Sequence, residues 1–374
     1  MNILIAGDYV AIGRIAGMIE KEDFSFFDEI KPLISQSDLS IVNLEAPIVS
    51  KNQKPILKHG PNLKTTPKVI NSLNYAGFNL VTLANNHIMD YGEEGLEETI
   101  INLKNGGIDF VGVGRNLKEA TKIKYFEKDG KKLAIINCCE HEFSIAEENK
   151  AGANPINVIN QFKAIQEARK NADFVLIITH GGHEMWQFPS PRMVETYRFF
   201  VETGADAVIN HHQHCYSGYE VYNGKPIFYG LGNFCFDRPN KVDKWYEGYL
   251  VTLNLEDNVK FKIHPYIQCK ENMEIKLLPQ NAFDKNLNEF NQIIKDAGRL
   301  KSINIDFYKK SEKGLNFLLQ PYKGRLLSKL FSLGLLPKLY GKRKKIILQN
   351  FIFCESHRDK LDYYFKNFLN EENS

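Results

Sequence analysis

Several features are scarce in this 374-residue chain, and each scarcity excludes a class of protein. No run approaches the ~18–20 consecutive apolar residues of a membrane-crossing helix. Met1 passes directly into Asn2-Ile3-Leu4-Ile5-Ala6-Gly7-Asp8, without the basic stretch, apolar stretch and small-residue cleavage site of a secretory signal. Six cysteines (Cys138, Cys139, Cys215, Cys235, Cys269 and Cys354) show neither CxxC spacing nor a disulfide framework, so a reduced cytoplasm is the expected location. The net charge of +3 is too small to argue for nucleic-acid binding, and none is expected. There is no internal repeat and no low-complexity linker. The remainder is ordinary for a soluble globular protein, with 43% apolar and 25% charged residues. The length suffices for a substantial core.

The first two thirds of the chain alternate β-branched runs (2–8, 39–45, 80–84, 110–113, 174–179, 207–210) with helical patterns (26–35, 67–76, 93–105, 156–170, 192–203), which predicts an α/β architecture. Asp129-Gly130 and Asn223-Gly224 tolerate the positive φ of tight turns and predict hairpins, as 123–128 with 132–137 and 219–222 with 226–229. A further strand pair is expected over 249–255 and 260–266, so the sheets should be mixed. After about residue 280 the character changes. Residues 281–300 read as a polar helix. Residues 309–350 carry eleven Lys/Arg against the single acid Glu312, interleaved with Leu326, Leu327, Leu330, Phe331, Leu335, Leu336 and Leu339. Two regions are therefore expected, 1–275 and a basic helical extension over 276–374. The extension either packs its apolar face on the core or touches anionic lipid through 309–350.

Six of the ten histidines fall in three short stretches, Asn85-Asn86-His87, His180-Gly181-Gly182-His183-Glu184 and His211-His212-Gln213-His214, each at the end of a predicted strand. Strand ends in open α/β sheets form the ligand crevice. Asp8 and Glu45 occupy two further strand ends. Carboxylate oxygen with neutral imidazole suits Zn, Mn or Fe. In an extended segment His212 and His214 would point to one side, because side chains alternate with period two. Singly, each residue has a plainer reading: Asp8, Asn86 and Asp90 as turn or cap formers, Glu45 as an exposed carboxylate, and His183 and His211 as groups orienting a neighbour. His59, His141, His264 and His357 read as surface or core residues.

Taken in order, the motifs Gly7-Asp8…Gly13-Arg14, Asn43-Leu44-Glu45-Ala46-Pro47, Ala84-Asn85-Asn86-His87…Asp90-Tyr91-Gly92, His180-Gly181-Gly182-His183-Glu184, His211-His212-Gln213-His214 and Gly230-Leu231-Gly232-Asn233-Phe234 resemble the CapA family of bacterial capsule and poly-γ-glutamate biosynthesis proteins. The resemblance covers about residues 2–240. It implies a four-layer α/β/β/α sandwich of metallophosphoesterase type and one or two divalent ions. Asp8, Glu45, Asn86, His180, His212 and His214 match ligand positions, with Glu45 where that superfamily has a bridging Asp. His87 matches the histidine assisting a leaving group, and Asp90 and Glu184 accompany it as catalytic candidates. Arg14, Asn43, His183, His211 and Asn233 are the substrate-contact candidates.

Val10 stands where the usual first motif has a histidine two residues after the Asp, which leaves one-ion and two-ion sites both open. Asn210, Gln213 and Gly230 replace the family's more usual Gly, Pro and Ser. The resemblance implies a metal-dependent hydrolase acting on a phosphoester or related bond during surface-polymer assembly, with an anionic polymer or phosphoester as substrate and capsule-synthesis machinery as partner. A non-catalytic accessory on the same fold is the alternative.

Overall fold

The computed structural model describes residues 1–50, 53–58, 60–239 and 241–318, and then 322, 324–337, 341, 344, 345, 348 and 352. His59, Cys354, His357 and part of the basic stretch 309–350 lie outside the described residues. In chain order the strands begin with β1 (Asn2–Val10), β2 (Leu39–Leu44), β3 (Leu80–Thr82), β4 (Asp109–Val111) and β5 (Val113–Gly114). There follow β6 (Lys124–Lys128), β7 (Lys131–Cys139), β8 (Gly152–Ala153), β9 (Phe174–His180), β10 (Ala207–His211) and β11 (Tyr219–Tyr222). The last are β12 (Lys225–Phe228), β13 (Asn233–Phe236), β14 (Glu247–Leu255), β15 (Val259–Gln268) and β16 (Ile275–Leu277).

Apart from β5 and β8, which pair with each other, these strands form two large sheets. One has the order β16-β15-β14-β1-β2-β3-β4 with β13 also paired to β1, and the other the order β11-β12-β10-β9-β7-β6. The centres are parallel, β1 with β2 and β9 with both β7 and β10. The hairpin strands β6 and β11 close the edges of the second sheet antiparallel. Both hairpins turn where expected, with φ of 51° and 73° at Asp129-Gly130 and 49° and 76° at Asn223-Gly224.

The central strands are buried on both faces and read as continuous apolar runs. Between the sheets, Ile3, Ile5 and Ile41 meet Ile135, Leu176, Ile178 and Ile209. The opposite face of the first sheet, through Leu4, Val42 and Val81, packs on Ile15, Leu73, Leu96 and Leu103 of its helices. Helices Val158–Asn171 and Pro191–Glu202 cover the second sheet at β7, β9, β10 and β12. The result is the expected α/β/β/α sandwich.

Some boundaries differ from the sequence reading. Residues 26–35 split into a 3₁₀ turn at Ser25–Phe27 and a short helix Lys31–Ser35, because Pro32 fits only the first turn of a helix. The 281–300 helix breaks at Asp296, whose Oδ1 accepts from the backbone N–H of Gly298 and Arg299 at 3.0 Å and caps a new helix, Ala297–Leu318. Helix Asp284–Lys295 packs on β11, so the first compact unit runs Met1–Ser302, beyond residue 275. The second is Ile303–Ser374. It contains helix Arg325–Ser332, where Leu326 is 72% exposed. Among the described residues no helix is long and apolar enough to cross a membrane.

Candidate metal centre

Asp8, Glu45, Asn86, His180, His212 and His214 all sit at or just beyond the carboxyl ends of β1, β2, β3, β9 and β10. Asp8 is aimed by an irregularity in β1, whose register shifts against both β2 and β13 at this point. Gly7 is required there, since a Cβ would collide with the carbonyl oxygen of Gly232. His180 pairs in register with His211 across β9 and β10. The chain then leaves the extended conformation: His212 has φ 95° and His214 φ 56°. The period-two argument for these two histidines is therefore corrected. They converge through two left-handed residues in a turn, a strained conformation typical of functional sites.

Two donor groups result, Glu45 with His180 and His212, and Asp8 with Glu45 and His214. Glu45 belongs to both. On the first side His180 Nε2 lies 3.0 Å from His212 Nδ1, 3.1 Å from Asn86 Oδ1 and 3.4 Å from Glu45 Oε1. Four ligands about 2.1 Å from a tetrahedral ion stand roughly 3.4 Å apart, so this spacing fits one ion. On the second side His214 Nδ1 is 3.6 Å from Asp8 Oδ2 and 3.8 Å from Glu45 Oε2. The position of the absent histidine is filled by Val10, fully buried in an apolar cluster with Ala46, Leu63, Phe236, Trp245 and Tyr246.

The chemistry of the donors also fits a cation. Glu45 is fully buried, and neither of its oxygens has a hydrogen-bond partner among the described residues. Burial, and then repulsion from Asp8, drives its pKa well above the carboxylate range. Burial also raises Asp8, but a hydrogen bond to His214 and the nearby His211 and His180 outweigh it and hold the group low. Burial pushes His180 and His212 down to about 3, leaving the neutral imidazoles that metals bind. His214 is opposed by burial, yet Glu45 and Asp8 push it up to about 9.

Polar groups behind the donors orient them. Asn43 donates to Asp8 Oδ1 at 2.7 Å and its Nδ2 lies 3.3 Å from His180 Nδ1. Asn233 Oδ1 is 2.9 Å from His214 Nδ1, and its Nδ2 donates to the His214 carbonyl at 3.2 Å. His211 is buried 3.8 Å from Asp8 Oδ1. All three, expected among substrate contacts, are buried: Asn43 and His211 behind Asp8 and His180, and Asn233 beside the same His214 nitrogen that faces Asp8 and Glu45. Arg14 is likewise committed elsewhere, since its guanidinium pairs with buried Asp237 at 2.7 Å and donates to the Cys269 carbonyl. His183 is half-buried in the loop after β9, near Glu140 and Arg192, and Glu184 is on the exposed rim, where His214, His212 and His87 offset the effect of burial on its carboxylate.

His87 Nδ1 contacts Asp90 Oδ2 at 2.6 Å, and burial lowers the ring's pKa against the pull of Asp90. Sequence reasoning missed two neighbours. Lys58 has a 3% exposed side chain that ion-pairs with Asp90. Glu142 Oε1 stands 3.8 Å from His212 Nε2 at the mouth. Glu142 is three residues beyond the end of β7, which as another strand end was the available signal. Nothing local marks Lys58.

Fold and site together define an α/β/β/α protein with a two-sided carboxylate–histidine centre. Residues 2–238 match the family described as bacterial capsule synthesis protein PGA_cap, and the chain belongs to that family. It is 33% identical over 267 residues to the capsule biosynthesis protein CapA of Bacillus anthracis, covering 69% of this chain and 64% of that one. It is 34% identical over 246 residues to the PGA biosynthesis protein CapA of Bacillus subtilis, covering 64% of each. The chain thus spans less than two thirds of the length of these relatives. Among solved structures, a novel phosphatase from Mycoplasma pneumoniae is similar with a TM-score of 0.47 and 17% identity, over 72% of this chain and 95% of that one.

Proposed function

We propose that this chain is a metal-dependent hydrolase acting on a phosphoester or related bond in the assembly of an anionic surface polymer. The observation that carries this reading is Glu45, a buried carboxylate without hydrogen-bond partners, shared by two groups of metal-competent donors. Asn86, His180 and His212 with Glu45 would hold one ion of Mn, Zn or Fe, and Asp8 and His214 with Glu45 a second. A bound ion supplies a water of lowered pKa and positive charge for a developing oxyanion. The chain's own part is positional. Asn43 and Asn233 keep the donors aimed, and Asp90 holds His87 so that its outer nitrogen serves the leaving group. Glu184 on the rim is the further acid–base candidate.

The names of the Bacillus relatives support a place beside capsule or poly-γ-glutamate synthesis machinery. Helix Arg325–Ser332 sets exposed Leu326 and Leu327 beside Arg325 and Lys329, which suits peripheral contact with anionic lipid. Flotation with anionic liposomes, with and without residues 309–350, tests that contact. Equal behaviour of the two forms rejects it.

Val10 favours a second reading, an accessory that binds polymer or partner enzymes without catalysis. Elemental analysis with a phosphodiester panel under Mn, Zn and Fe separates the two. The hydrolase reading expects bound metal and turnover lost in His180→Ala and His212→Ala. Absence of metal, with both variants behaving as wild type, rejects it.

A further inference from the structure

The stretch that follows β13 carries the cations Arg238, Lys241 and Lys244 and is fastened beside the metal centre. At its start Asp237 is held by Arg14. The Tyr246 hydroxyl accepts from the Lys241 backbone N–H and donates to the Arg238 carbonyl, both at 3.2 Å. Lys244 Nζ donates to the carbonyl of Met185, the neighbour of Glu184. Met185 N–H in turn donates at 2.8 Å to the carbonyl of Gln213, between the donors His212 and His214. Arg238 and Lys241 are thus placed before any ligand arrives.

Trp245 is the ring they share. It lies 5.1 Å from the ring of His214, and Arg238 and Lys241 stand over it at 5.7 and 5.4 Å. The acids of the stretch are committed elsewhere, Asp237 to Arg14 and Asp243 to Lys270 at 2.9 Å. Among the described residues, Arg238 and Lys241 face the ring with no carboxylate in ion-pair contact. A ring attracts a cation without neutralising its charge or taking up its N–H donors. Arg238 also acts on the charge of Glu184, as His214 and His212 do, which places its guanidinium at the mouth. Elsewhere on the rim Glu142 and Glu184 repel anions, and Arg192 is paired with Glu140. An anion at the mouth is therefore drawn to Arg238 and Lys241.

We propose that Arg238 and Lys241 form an oxyanion subsite on Trp245 that binds a carboxylate or phosphate of the substrate next to its reacting group. The substrate is then a molecule with a further anionic group beside the bond, and not a simple monoester. The place beside a scissile bond rests on the hydrolase reading above. The subsite does not, because its binding is measured without turnover.

The experiment is calorimetric titration of the full-length chain with a short glutamate homopeptide, its glutamine counterpart and inorganic tripolyphosphate. Wild type should bind an anionic probe and ignore the glutamine peptide, and the two anions tell carboxylate from phosphate. Arg238→Gln should weaken binding about 10–100-fold, and Lys241→Gln about 2–5-fold. Arg238→Lys should fall between wild type and Arg238→Gln, since it keeps the charge without the planar fork. Bound metal, read by elemental analysis, should be the same in all. Lys128→Gln, which removes an equal charge from the exposed end of β6, should bind as wild type does. Where Arg238→Gln melts lower than wild type, exposed Lys241→Gln carries the test. The proposal is overturned by a wild type that binds neither anion, by unchanged affinity in the Arg238 and Lys241 variants, by an equal loss in Lys128→Gln, or by a loss that accompanies loss of metal. Anion binding that depends on Arg238, without turnover of any phosphodiester, upholds the subsite and rejects the hydrolase reading.

Discussion

On one side of Glu45 stand Asn86, His180 and His212, and on the other Asp8 and His214. The first side offers four donor positions with both imidazoles pushed down to about 3 by burial, so no proton has to leave a histidine for an ion to enter. The second offers three, and its histidine, opposed by burial but raised by Glu45 and Asp8 to about 9, already carries positive charge. The first side opens towards Glu142, whose side chain is 39% exposed. The second is walled by rings, with Phe236 and Trp245 at 5.4 and 5.1 Å from His214. Two donor groups that share a carboxylate can thus differ in donor count, in charge and in access. Stepwise metal uptake, first side before second, is the expected result.

The largest test removes what both sides share. Glu45→Gln should abolish binding of both ions, a loss of at least ~100-fold in each affinity, and should raise the melting temperature of the metal-free protein by removing a buried carboxylate without hydrogen-bond partners. Calorimetric titration and melting curves with and without chelator check both, and a metal-free form that melts lower contradicts the account. Next, His212→Ala should remove the tighter ion, whereas His214→Ala should remove only the weaker one. Elemental analysis after dialysis reads this as a stoichiometry, and equal losses in the two variants would end the asymmetry.

A smaller effect distinguishes the supports. Asn43 touches a donor on each side, so Asn43→Ala should weaken both ions by about 10–100-fold, while Asn233→Ala should weaken only the His214 side by a similar factor. Titration with Zn and Mn checks this pattern. The smallest change is Val10→His, which returns a fourth donor to the second side. It should cost about 1–3 kcal/mol in the metal-free protein, because a polar ring enters an apolar cluster, and should raise bound metal towards two ions per chain. Denaturant melts and elemental analysis measure the two halves of that statement.

Much of this arrangement was legible before the structure. Apolar runs in β1 and β9 announced strands, and Asp129-Gly130 and Asn223-Gly224 announced their turns. The alignment of Asp8, Glu45, Asn86, His180 and His212 with strand ends announced the centre. Other parts were not legible. Short β13 beside β1, the left-handed turn at His212 and His214, and the enclosure of Asn43, His211 and Asn233 all depend on how the two sheets meet. The ion pair of Arg14 with Asp237, 223 residues away in sequence, was equally invisible.

The amino-acid sequence by itself determined the elements and the inventory of chemistry, because helix and strand periods, turn dihedrals and strand-end residues are set by near neighbours. Tertiary structure alone decided that Asp8 meets the His212 backbone across 204 residues, that Glu45 serves both donor groups, and that Lys58 reaches His87. Protonation and ligand geometry depend on distance and on the exclusion of water, and neither exists until the sheets are packed.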